Sequence, residues 1–157
     1  MGDSLISFTV YGEPVPWKRP RFNGKSKHVF EDSKVKAYKQ EVISAFEESG
    51  GKVYEKDVPL RMSVRFYLSV PKSASRRKRR ALVSKFFPTK RPDNDNLYKG
   101  IADALNGIAY YDDSQIVITH IHKLWSEEPR AEVTITDISE NLEVPDISED
   151  LEGIERR

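Results

Sequence analysis

From Leu60 to Val70 the chain reads Leu-Arg-Met-Ser-Val-Arg-Phe-Tyr-Leu-Ser-Val, with an apolar residue at every second position. A strand sends successive side chains to opposite faces, so this run fits a β-strand with Leu60, Met62, Val64, Phe66, Leu68 and Val70 in a core. The face bearing Arg61, Ser63, Arg65, Tyr67 and Ser69 is polar, so one layer is expected to cover the sheet on its apolar side. The same alternation recurs at Ile6, Phe8 and Val10, in Ser114-Gln-Ile-Val-Ile-Thr-His-Ile-His-Lys-Leu-Trp125, and in Arg130-Ala-Glu-Val-Thr-Ile-Thr-Asp-Ile138. The last two runs are joined by Ser126-Glu-Glu-Pro-Arg130, a length that predicts a β-hairpin.

Three stretches have helical spacing. Val35, Tyr38, Val42, Ala45 and Phe46 share a face behind a cap at Asp32 or Ser33, and Gly50-Gly51 ends the pattern. A short basic helix follows Ser73 or Ser75. A third, from about Asp93–Asp95 to Asn106, places Leu97, Ile101, Ala104 and Leu105 on one side. Residues 12–32 hold three prolines and read as a long basic loop or an irregular edge ribbon, since proline cannot continue a helix. The expectation is an α+β fold: a small mixed or antiparallel sheet, helices mainly on one face, in a single domain over residues 1–137. At 157 residues one such core is enough. Residues 138–157 lose the pattern and are set apart as an acidic C-terminal tail with no assigned role.

With no cysteine, the chain is excluded from disulfide scaffolds, zinc–thiolate sites and thiol catalysis. Its start lacks the basic head and apolar core of a signal peptide, and no segment reaches membrane-spanning length. A cytoplasmic protein of a bacterial cell, host- or phage-encoded, with no membrane partner, is expected. The net charge of +1 conceals an asymmetry. From Asp137 on there are eight acids and two arginines, which leaves residues 1–136 with 24 basic and 17 acidic side chains. A basic body suits a polyanionic partner.

Against that background, Arg91-Pro-Asp-Asn-Asp-Asn-Leu-Tyr-Lys-Gly-Ile-Ala-Asp-Ala-Leu-Asn-Gly-Ile-Ala-Tyr-Tyr-Asp-Asp-Ser-Gln-Ile116 packs in five aspartates and two basic residues. Asp95, Lys99 and Asp103, four residues apart, form a polar stripe opposite Leu97, Ile101 and Leu105. Any one aspartate could be a helix cap or part of a turn. Capping needs one acid, however, and here Asp93 and Asp95 are followed by Asp112 and Asp113 a helix length later. Carboxylates drawn together repel unless a proton or cation intervenes, and magnesium suits an all-oxygen set of two or three carboxylates with water. Magnesium so held can activate water and polarise a phosphodiester. A lysine one turn away can stabilise charge on the phosphate.

This stretch resembles the signature of the RusA-type Holliday junction resolvases, Pro-Asp-x-Asp-Asn-Leu-x-Lys, Asp-Ala-Leu, Asn-Gly and Asp-Asp-Ser-Gln. Weaker similarity runs from residue 4 to about 137. The resemblance implies a homodimeric endonuclease that resolves four-way DNA junctions by paired symmetric nicks in recombination and repair. Its cofactor would be Mg2+, with Mn2+ as a substitute, and no nucleotide cofactor. Asp93, Asp95 and Asp113 match the essential acids and metal ligands, with Asp112 the substitute for Asp113, and Lys99 matches the functional lysine. Asp103 is assigned a supporting place, or that of partner to Lys99. A broader branched-DNA nuclease, or a non-catalytic DNA-binding module, are the alternatives.

The expected DNA-holding residues are Trp17, Lys18, Arg19 and Arg21 in the proline-rich loop, Arg76, Arg77, Lys78, Arg79 and Arg80, and Lys90 with Arg91. They would contribute salt-dependent contacts to the phosphate backbone. Trp17 and Phe22 are candidates for stacking on unpaired bases. His120 and His122 point the same way on one strand and are assigned to a sheet face, since no third metal ligand is evident.

Overall fold

A computed structural model describes residues 4–140. In chain order the elements are β1 (Leu5–Tyr11), β2 (Arg21–Asn23), β3 (His28–Phe30), α1 (Ser33–Glu48), β4 (Leu60–Ser69), α2 (Arg76–Lys85), α3 (Asn94–Leu105), a 3-10 turn (Asp113–Gln115), β5 (Ile116–Ser126) and β6 (Arg130–Asp137). The fold is α+β, with a mixed four-stranded sheet in the order β1-β6-β4-β5 and a separate β2-β3 ribbon. The ribbon is the irregular excursion anticipated from the prolines, and every residue in its two strands is exposed. The expected tail lies outside the described residues beyond residue 140.

The eleven-residue alternation does what its period requires. Leu60, Met62, Val64 and Phe66 are fully buried, and they meet Val42 and Phe46 of α1 and Leu97, Ile101 and Leu105 of α3 in one core. Each such side chain contributes about 1.5–3 kcal/mol by leaving water. Asp32 caps α1, its Oδ1 accepting from the Lys34 amide at 2.9 Å, and Ser75 caps α2 in the same manner through Lys78.

The hairpin expected between the last two strands does not form. β5 runs parallel to β4, while β6 runs antiparallel to β4 on its other edge. Residues 127–129 therefore cross the end of β4, which stops where Pro71 removes a donor. Two strand spacings are roughly 10 Å, within reach of four extended peptide units. The physical reason is burial. β4 is the most regularly apolar strand, and the interior position lets both of its edges pair. β6, whose Ala131, Val133 and Ile135 are equally buried, takes the other interior place between β1 and β4. β5 is left at the edge.

Candidate active site

α3 starts where Pro92 ends an extended approach and Asp93 takes the N-cap position. Unlike Asp32 and Ser75, Asp93 makes no capping hydrogen bond with its side chain. Asp95 follows in the first turn. The carboxylates of Asp93 and Asp95 thus sit at the positive end of the helix with no local structural task for Asp93. Among the described residues, none of Asp93, Asp95, Asp103, Asp112 and Asp113 belongs to an ion pair.

Two outside elements close on this end of the helix. The loop after β1 comes so near that the Trp17 amide donates to the Asn96 carbonyl at 2.9 Å. Gly100 allows this approach, since a Cβ there would stand 2.9 Å from the Val15 carbonyl oxygen. The Trp17 ring then lies under the Lys99 ammonium, 3.8 Å from nitrogen to ring centroid. Pro16, Trp17, Lys18, Arg91, Pro92, Asp93 and Asn96 line a cleft of about 440 Å³ beside the helix start. On the other side the Lys123 ammonium donates to the carbonyls of Lys90 and Pro92, both at 2.9 Å, and so fixes the approach to Asp93 from β5.

The far end of the stripe is built by the connection from α3 to β5. The Tyr110 hydroxyl is buried and donates to the Ala102 carbonyl at 2.6 Å, which folds the connection back on α3. Gln115, also buried, accepts from the amides of Tyr111 and Asp112 and donates to the carbonyls of Glu55 and Val58. The Asp112-Asp113 turn is therefore held rigidly. Burial first, then hydrogen bonding and repulsion from Asp112 and the charge of Asp103, raise the Asp113 carboxyl above its ordinary 3.8. Asp112, hydrogen-bonded to Ser114, shifts the other way. Burial first, and then the charges of Asp113 and Asp103, push the Tyr98 phenol up to about 12, and burial likewise raises Tyr110. Asp113 is thus the member of the pair that feels the charge of Asp103 on α3.

Residues 11–136 match the family described as endodeoxyribonuclease RusA. The chain belongs to the RusA family. The match spans nearly all of the described fold, both ends of the stripe included. The uncharacterized protein YqaN of Bacillus subtilis (strain 168) is 42% identical over 140 residues, which cover 85% of this chain and 97% of that protein. The crossover junction endodeoxyribonuclease rusA of Lactococcus phage r1t is 40% identical over 86 residues, 54% of this chain and 60% of the phage protein.

For this RusA-family chain, the expected residues fall into two groups along α3. Asp93 and Asp95 occupy its start, Lys99 the middle, and Asp103 with Asp113 the far end. Helical rise sets the Asp95 and Asp103 levels about 12 Å apart. Among the described residues no three His, Cys, Asp or Glu side chains form a group able to hold one ion. The donor chemistry nevertheless fits a hard cation: oxygen donors only, without ion-pair partners, and an Asp103–Asp113 repulsion that positive charge would relieve.

Among the basic residues, Arg19, Arg21, Arg76, Arg77, Lys78, Arg80, Lys90 and Arg91 are exposed. Lys18 is paired with Asp32 at 3.3 Å. Arg79 is occupied: it donates to the carbonyls of Ala74, Pro71 and Lys72 and to Glu127, fastening α2 to the loop before it. His120 and His122 lie beside Arg65 and Glu132 on the polar face of the sheet, opposite the helices. Sequence reasoning passed over Gly100, Lys123 and Gln115. Gly100 carried a signal, because a glycine inside a helix costs about 1 kcal/mol relative to alanine. Lys123 carried one too, as a cation between Ile121 and Trp125 on the side of the strand that packs against the core.

Proposed function

We propose that this protein is an endonuclease that resolves four-way DNA junctions by paired nicks, acting as a homodimer in the bacterial cytoplasm with Mg2+ as its cofactor and Mn2+ as a substitute. The observation that carries this reading is Asp93: an aspartate in the N-cap position that leaves the cap unmade, in a stripe of aspartates without ion-pair partners. Asp93 and Asp95 at the start of α3 would hold one metal ion, and Asp113 at its far end, with Asp112 as its substitute and Asp103 beside it, would hold a second. When bound, the metal would supply an activated water and Lewis-acid polarisation of the phosphodiester.

The chain's own residues do the rest. Lys99, supported on the Trp17 ring, offers its ammonium to a non-bridging phosphate oxygen, where positive charge stabilises the negative charge that develops. Arg91 and Lys18, on the walls of the same cleft, hold the adjoining backbone. Arg19, Arg21, Lys90 and the exposed cations of α2 extend that hold without reading sequence. The name carried by the phage relative points to the same substrate.

The test is cleavage of a synthetic four-way junction by wild type and Asp95→Asn, with and without magnesium, beside a three-way fork and a linear duplex. Wild type should nick the junction symmetrically and only with the metal, whereas Asp95→Asn should bind it normally and leave it whole. Normal cutting by Asp95→Asn would remove the metal assignment. Equal cutting of forks would replace junction resolution with general branched-DNA cleavage.

A further inference from the structure

α2 stands apart from the other two helices because none of its side chains is buried. It carries Arg76, Arg77, Lys78, Arg80 and Lys85 free of the contacts that occupy Arg79, and no acid at all. Just beyond its last turn Phe86 and Phe87 project into solvent, 58% and 67% exposed, with Val83 at 47% one turn behind them. The corner they occupy is tied down on both sides. Arg79 fastens α2 to the preceding loop, Pro88 is buried directly after the pair, and Lys123 grips the chain at Lys90 and Pro92. Only five residues lie between Phe87 and Asp93, a span of at most about 22 Å even if fully extended.

Two adjacent phenylalanines held in water on a rigid corner mark a contact surface more than a packing accident. The surrounding charge selects the occupant. A helix with five free cations and no acid favours a polyanion, and unpaired nucleobases combine phosphate charge with an aromatic face. The Trp17 ring, the other candidate stacker near the cleft, already has a face covered by Lys99. We propose that Phe86 and Phe87 are a base-stacking platform for unpaired nucleobases at a DNA branch point, with Arg76, Arg77, Lys78 and Arg80 on the adjoining phosphates. This rests on the branched-DNA reading above and adds the element that would hold the branch open.

The experiment compares the full-length wild type, the double variant Phe86→Ala/Phe87→Ala, and the aromatic replacement Phe86→Trp/Phe87→Tyr. Each is mixed at fixed salt with a four-way junction carrying 2-aminopurine at the branch point, with a linear duplex, and with an oligo-dT strand. Wild type should raise the 2-aminopurine emission. The alanine pair should abolish that rise and weaken junction and oligo-dT binding about tenfold per lost ring. Duplex affinity and its salt dependence should stay as in wild type, and the aromatic replacement should restore what alanine removed. Wild-type behaviour by the alanine pair, or its elution as a smaller species because a second copy covers the corner, overturns the proposal. If wild type does not prefer junctions to duplex, junction resolution fails, and oligo-dT binding alone then decides for or against stacking.

Discussion

Replacing Gly100 by alanine separates a packing requirement from a helix preference, because the two predict opposite signs. In an unobstructed helix interior the substitution stabilises by about 1 kcal/mol. Here the added Cβ would stand 2.9 Å from the Val15 carbonyl oxygen and 3.7 Å from the Trp17 nitrogen. The first of these is backbone and too close, so the loop must retreat. Overpacking of this sort costs about 1–3 kcal/mol, and the Trp17–Asn96 hydrogen bond at risk is worth about 1 kcal/mol. The balance is a loss of about 1–3 kcal/mol, or a fall in Tm of about 2–12 °C for a chain of this size. Thermal unfolding measures it. With Trp125→Phe as background, Trp17 is the remaining tryptophan, and its emission should shift as the ring leaves Lys99. Junction cleavage should fall with it. A rise in Tm with unchanged Trp17 emission would refute the claim that the loop is pressed against α3.

Gln115→Leu leaves two amides and two carbonyls without their partner, so we expect a loss of about 2–4 kcal/mol in chemical denaturation, with cleavage lost as the Asp113 turn loosens. Lys123→Met keeps most of the side-chain volume but frees the carbonyls of Lys90 and Pro92. Stability should drop by about 1–2 kcal/mol, while the cleavage rate falls further than the unfolded fraction explains, since Asp93 follows Pro92 directly. Asp32 is held below its ordinary 3.8, chiefly by the Lys34 amide, so its ionised form favours the folded state. Asp32→Ala should therefore lower Tm at neutral pH, by a margin that persists above pH 3.8 and closes as pH falls through the depressed value. A margin independent of pH would contradict that linkage.

Among the described residues, the three helices and the four strands of the main sheet are legible in the sequence, because each follows from a local period. The alternation from Leu60 to Val70 can serve only a half-buried strand, and the candidate caps at Asp32 or Ser33, at Ser73 or Ser75, and at Asp93–Asp95 bracket where the helices begin. It also placed the unusual density of aspartates around Lys99, since charge spacing on a helix is set by its pitch. Tertiary structure decided what local spacing leaves open. The short link at residues 127–129 permits a hairpin, and only competition for burial puts β4 between β5 and β6. Asp112 and Asp113 are chemically identical in the chain, and it is the fold that sets Asp113 within the charge of Asp103 while Asp112 bonds to Ser114. Trp17 and Lys99 are 82 residues apart, and they meet because Gly100 lets two backbones approach more closely than any side chain would allow.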